Sequence, residues 1–172
     1  MPQLFDFNDG NGPVPFHLHK NGGGKVADTA TVSDSAFIGK DAQVFGNAHV
    51  YGNAQVSGNA QVYENAQVSG NAQVSGNAEV SGNTQVYGDA QVFGNAWVFG
   101  DAWVFGDARV SGNAYVFGDA RVFGNAWVSG DAYVYGNAQV YGSMVLTTGT
   151  HTGEANQEKN IINIRINTVM LF

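Results

Sequence analysis

The chain has 172 residues, no cysteine, 24 glycines, a formal net charge of −7 and only 12% charged residues. The length suits one domain, and the missing cysteine excludes disulfides and Cys-ligated zinc or iron–sulfur sites. An acidic balance (pI near 4.7), with seven Lys and Arg scattered along the chain, disfavours nucleic acid and anionic membranes as partners. No apolar run is long enough to cross a bilayer, so no membrane-spanning helix is expected. Met1-Pro2-Gln3-Leu4-Phe5-Asp6 has neither a basic nor an apolar signal region; no Sec signal is expected, and the default compartment is the cytoplasm.

Residues 1–24 hold Phe5, Phe7, Pro13, Pro15 and Phe16 among Asn, Asp and Gly, an irregular apolar segment suited to cap a neighbouring domain. From Val26 to Val140 a β-branched residue recurs at every sixth position, 20 times, always Val except Ile38. Two residues before each, from Ala30 to Ala138, stands Ala, with Thr84 the one exception. Pairs such as Gly46-Asn47, Gly58-Asn59 and Gly100-Asp101 separate the units. Ala-x-Val-x alternates with period 2, so Ala and Val share one side and both x residues the other. Gly followed by Asn or Asp is turn chemistry that tolerates positive φ. A short strand that bends at every hexad without a hairpin return must coil, each strand stacking on the one a full turn earlier. The fold class predicted for 25–147 is an all-β parallel solenoid.

The residue after each Val shows that three hexads close one coil, an 18-residue step. Dealt into three columns, the first holds Phe45, Tyr63, Phe99, Phe117 and Tyr135, and the second Tyr51, Tyr87, Phe105, Phe123 and Tyr141. The third is mostly Ser57, Ser75, Ser111 and Ser129. Such columns are expected of a triangular prism whose like residues lie about 4.8 Å apart. Leu146 is in phase with Val140, giving about seven coils with capped ends. Beyond it, 148–160 reads as a polar linker, and 161–172, with Ile162, Ile164 and Ile166 alternating with Asn163 and Arg165, as a strand that caps the last coil or exchanges between subunits.

The unit Val56-Ser57-Gly58-Asn59-Ala60-Gln61 resembles the hexapeptide-repeat, left-handed parallel β-helix family, over residues 26 to about 146. Close runs of Gly-Asn-Ala-Gln-Val are similar to those of uncharacterised bacterial hexapeptide-repeat proteins. The left-handed coil is what this resemblance implies, since general crossover rules favour the opposite hand. Bactofilins, three-faced but right-handed, are the second family it resembles. The resemblance also implies trimers as a common assembly, and acyltransferase chemistry with a catalytic His on a loop interrupting the solenoid and coenzyme A bound between subunits. No insertion breaks the phase here and the solenoid's one His is His49, so no residue is assigned a catalytic role and no cofactor is expected.

Two constellations could in principle take a metal. His17 and His19 point the same way in an extended segment, but no third ligand is evident. Asp89 and Asp107, like Asp101 and Asp119, lie one 18-residue step apart and stack along a corner, where like charges raise a pKa or recruit a cation; solvated carboxylates in local turns are the plainer reading. Outward aromatics carry the stronger signal. Trp97, Phe99, Trp103, Phe105, Tyr115, Phe117, Phe123, Trp127, Tyr133 and Tyr135 crowd the distal half, on two faces, where the proximal half carries mainly Gln, Ser and Tyr. Ala and Val already fill the inside, so these rings are expected to form an interface or ligand platform. The function expected is non-enzymatic self-assembly as a homo-oligomer, dimer or trimer. The alternatives are a polysaccharide-binding platform on the aromatic and Gln ladders, and an acyltransferase with a site between subunits.

Overall fold

A computed structural model describes residues 3–155; the strand predicted over 161–172 lies outside the described residues. The solenoid is three parallel sheets, one per face, and the described residues contain no helix. Counting coils from Lys25, first-face strands begin at residues 25, 43, 61, 79, 97, 115 and 133. Each pairs in register with the strand one coil on, as Trp97 with Tyr115 and Val98 with Val116. The second face carries Gln85–Gly88 and Trp103–Gly106, and the third Arg109–Val110 and Trp127–Val128. All-β architecture, parallel coiling, the 18-residue step and the seven coils are as the periodicity predicts.

The inside is a column of Val and Ala. Val44 through Val140 and nearly every intervening Ala have no solvent exposure, and each buried Val contributes about 1.5–2 kcal/mol. Thr84, in an Ala position, is equally buried and satisfies its hydroxyl on the Ser81 carbonyl oxygen.

The corners are tight because the backbone ladder continues through them. Asn65 N–H donates to the Gly82 carbonyl (3.0 Å) and Asn83 N–H to that of Gly100 (2.7 Å). Sixteen corner glycines from Gly46 to Gly142 hold φ between 60° and 76°. A side chain there meets the next coil's backbone: a Cβ on Gly82 would lie 2.6 Å from the Gly100 carbonyl oxygen. Glu64 alone occupies such a corner with a side chain, at φ 59°. Its carboxylate accepts the Gly82 N–H at 2.6 Å, which offsets part of the strain.

The corner Asn side chains form three directional ladders. Asn59 Nδ2 donates to Asn77 Oδ1, Asn77 to Asn95, Asn95 to Asn113 and Asn113 to Asp131. The other corners run Asn53, Asn71, Asp89 and Asn47, Asn65, Asn83, Asp101. Each run ends at an Asp because a carboxylate accepts but cannot donate onward.

At the N-terminus β1 (Leu4–Phe5) and β2 (Val14–Leu18) form an antiparallel hairpin, and β2 pairs antiparallel with β3 (Lys25–Ala27). The segment expected to be irregular therefore extends the first-face sheet. At the other end, part of the predicted 148–160 linker is strand: Thr150–His151 pairs with Tyr133–Val134, and Glu154–Ala155 with Gln139–Val140. Both steps are shorter than three full hexads, so the loss of the hexad pattern after Leu146 shortens the coil without ending it.

Gly136 has φ 63° but a Cβ there would meet nothing within 4 Å. Gly136→Ala should cost about 1 kcal/mol from φ alone, and Gly82→Ala at least twice that, because the next coil must shift. Urea unfolding midpoints of the two variants check the order.

Candidate functional site

On the first face, coils 5 to 7 present six rings in two rows. The residue before each Val supplies Trp97, Tyr115 and Tyr133, and the residue after it Phe99, Phe117 and Tyr135. Phe99, Phe117 and Tyr135 stack at 4.8 and 5.0 Å between ring centroids, within 10° of parallel. Tyr115 and Tyr133 stack at 4.9 Å, and Trp97 tilts by 43° against Tyr115 at 5.7 Å. The centroid spacing is the strand spacing, so the backbone register imposes the stack. Trp97 and Tyr133 remain 40% and 42% exposed.

The other four rings are placed differently. Trp103, Phe105 and Phe123 lie on the second face, where Tyr87, Phe105, Phe123 and Tyr141 form one continuous stack at 5.0 to 5.1 Å. Arg121 sits over Trp103 at 5.0 Å from its centroid, a cation–π contact within that face. Trp127 corrects the expectation of two faces: it belongs to the third, where its Nε1–H donates to Ser111 Oγ at 3.0 Å. The residue before Val128 falls on the otherwise Ser-rich face, and a Trp there finds a hydroxyl instead of a ring.

The proximal half of the first face is covered by the chain itself. The loop between β1 and β2 lays Phe7 on Phe45, stacked at 4.9 Å, and Phe45 stacks on Tyr63 at 4.9 Å. Ala27 and Phe45, outward positions in the repeat, are only 1% and 3% exposed for this reason. Beyond Phe7 the loop forms one wall of a half-open cleft of about 660 Å³, with Asn8, Asp9 and Asn11 on its side and Gln61, Glu64 and Glu79 of the solenoid on the other. Tyr63 donates its hydroxyl to Glu79 Oε2 at 3.1 Å. Burial, reinforced by the Glu79 and Glu64 carboxylates, pushes the Tyr63 hydroxyl above the ordinary tyrosine range, against a lowering contribution from Ser81. Sequence reasoning missed this cleft, although a signal was present: Glu64 breaks the run of corner glycines, and Glu79 is the one acid between an Ala and a Val of the repeat.

The fold stacks each Asp pair one coil apart, as the 18-residue step predicts, but sends the two His candidates to different partners. His17 Nδ1 lies 2.9 Å from Asp28 Oδ1 at the surface. His19 falls just past β2, is only 5% exposed, and has Nδ1 3.2 Å from the Asn21 carbonyl oxygen. The two imidazoles thus take different partners, because the strand that would have aligned them ends at Leu18. Asp89 and Asp101 accept the ladder amides of Asn71 and Asn83 (3.0 and 2.9 Å), while Asp107 and Asp119 follow one coil on. Among the described residues no group of three or more His, Asp or Glu is placed to hold one metal ion. His49 is an exposed strand residue, paired in register with Gln67.

Five stretches of the chain, residues 42–58, 54–70, 72–88, 90–106 and 114–132, match the family model described as the YdcK beta solenoid repeat. Comparison with curated proteins finds no match. Repeat match and coordinates agree on a parallel β-solenoid repeat protein with clustered aromatic side chains.

A tyrosine whose proton is held more tightly in the folded state supports folding fully below the ordinary value near 10, and loses that support as pH rises through its raised folded value. Tyr63→Phe should therefore flatten part of the alkaline loss of stability. Tyr87, also raised by burial, supplies a further part. Denaturant midpoints of the parent and Tyr63→Phe at pH 8, 10 and 11 measure the difference.

Proposed function

We propose that the protein is a non-enzymatic structural rod that self-associates through its aromatic first face. One observation carries this reading. The chain covers the proximal half of the face with its own Phe7, yet leaves the six rings of coils 5 to 7 without a covering segment among the described residues. Stacking within the ladder stabilises the coils by roughly 0.2–1 kcal/mol per ring pair. That accounts for columns of rings, but not for two adjacent columns concentrated at one end of one face. Flat aromatic arrays of this kind are what a partner surface buries.

A polysaccharide platform is the second reading, favoured by the half-open rings of Trp97 and Tyr133 and by the amide-lined cleft on the same face. Trp fluorescence that does not change across a glycan panel would count against it. Acyl transfer rests on fold analogy alone.

Tyr115→Ser combined with Phe117→Ser, at the centre of the first-face array, should reduce the assembly to the 18.1 kDa monomer without unfolding the rod. The second-face pair Trp103→Ser and Phe105→Ser should leave it associated. Light scattering of the parent and both double variants, with circular dichroism as the folding control, reads the result. A parent monomeric at every concentration refutes the reading.

A further inference from the structure

We infer that Asn11–Gly12 is a self-modification site. The Asn11 side-chain amide is lost to water as ammonia, and the carboxylate left behind loosens the β1–β2 loop from the first face. This is independent of self-association, because the rings of coils 5 to 7 lie beyond the loop. In an Asn–Gly pair the backbone nitrogen reaches the side-chain carbonyl most easily, since glycine brings no Cβ into the approach. The chain is rich in both residues, yet each corner Asn of the repeat precedes Ala or Thr. Only two Asn–Gly bonds exist, Asn11–Gly12 and Asn21–Gly22, both in the N-terminal segment.

The fold treats the two differently. Asn21 Nδ2 donates to the Ala36 carbonyl at 3.0 Å, and the Asn21 carbonyl accepts the Ile38 N–H at 2.9 Å, so both ends of the residue are tied to coil 1. Gly22 is pressed against the same coil, where a Cβ would collide with the Ile38 carbonyl oxygen. Asn11 is exposed and tied only within its own turn. Its N–H donates to Asp9 Oδ1 and its Nδ2 to Asp9 Oδ2, both at 3.0 Å. Gly12, at φ 72°, has open space on its Cβ side, and its N–H donates to no carbonyl among the described residues.

The reaction needs water alone. Hydroxide takes the Gly12 N–H proton and the nitrogen attacks Asn11 Cγ. The Cγ–Nδ2 bond breaks, ammonia leaves with a proton from water, and a five-membered succinimide remains. Water then opens the ring at Cγ to give Asp, or at the main-chain carbonyl to give isoaspartate. One water enters and one ammonia leaves overall, with no oxidation or reduction. Either product exchanges a donor for a charge. The two Asn11 donors hold the Asp9 carboxyl below the ordinary carboxylate range, so Asp9 is ionised when a second carboxylate appears beside it. Attraction becomes like-charge repulsion, and the carboxylates lining the cleft, Asp9, Glu64 and Glu79, gain a fourth. The same loop carries Phe7, the ring laid on Phe45, so opening its turn reaches the first face.

Peptide mapping by mass spectrometry reads the site, on the full chain held at mildly alkaline pH both folded and in urea. In urea the two Asn–Gly bonds should lose ammonia at similar rates. In the folded chain Asn21 should fall behind Asn11 by more than about tenfold, because its anchors must break first. Asn21 keeping pace with Asn11, or Asn11 no faster than the Asn–Ala corners, overturns the site. The loop is read with Asn11→Asp, and with Asn11→Gln, which keeps an amide but does not close the five-membered ring. Cleavage after Phe7 by an aromatic-specific protease should be several-fold faster in Asn11→Asp than in Asn11→Gln or the parent. Asn11→Asp cleaved no faster than Asn11→Gln overturns the effect on the loop.

Discussion

The structure depends on one constraint: each strand must lie in register on the strand one full coil away. The backbone ladder enforces it, since N–H groups of strand and corner alike reach carbonyls of the next coil, as Gln61 to Ala78, Tyr63 to Val80 and Asn65 to Gly82. Once register is fixed, like side chains meet like at the strand spacing, and each residue type must tolerate its own repetition. Val and Ala do so by packing, and Phe and Tyr by stacking. Asn does so because its amide both donates and accepts. Asp does not, which is why each Asn ladder stops where an Asp enters it.

The same constraint makes stability a sum over neighbouring coils and leaves the ends as the weak points, where unpaired strand backbone invites further pairing. At the N-terminus the hairpin answers this by extending the first-face sheet backwards while its loop lays Phe7 on Phe45 and walls a cleft against coils 2 to 4. One short segment thus caps an edge, buries Phe45 and divides the first face into a covered proximal half and an uncovered aromatic half. The functional reading depends on that division more than on the rings alone.

Most of this was legible in the sequence because a strict hexad leaves few geometries open. The inward Val and Ala, the outward rings, the 18-residue step and the positive-φ corners all come from residue spacing. What escaped was set by contacts between distant segments. Nothing in Phe5 to Phe16 announces that Phe7 will stack on Phe45, two coils into the solenoid. Assigning Trp127 to one of two faces failed because rows before and after Val were read together, although the register separates them. Thr150–His151 and Glu154–Ala155 lack the hexad yet pair as strands, since an existing edge templates a partner through backbone atoms without regard to side chains. Glu64 and Glu79 stood out as irregularities, but only the β1–β2 loop opposite makes them walls of one cleft.

The central claim is that the rings of coils 5 to 7 are covered when copies associate. Hydroxyl-radical footprinting read by mass spectrometry, at concentrations from about 1 to about 100 μM, observes those rings individually. The account predicts that oxidation of Trp97, Tyr115 and Tyr133 falls as concentration rises, while Trp127 on the third face is oxidised equally throughout. Rings on the first face that stay as reactive at high concentration as at low would contradict it.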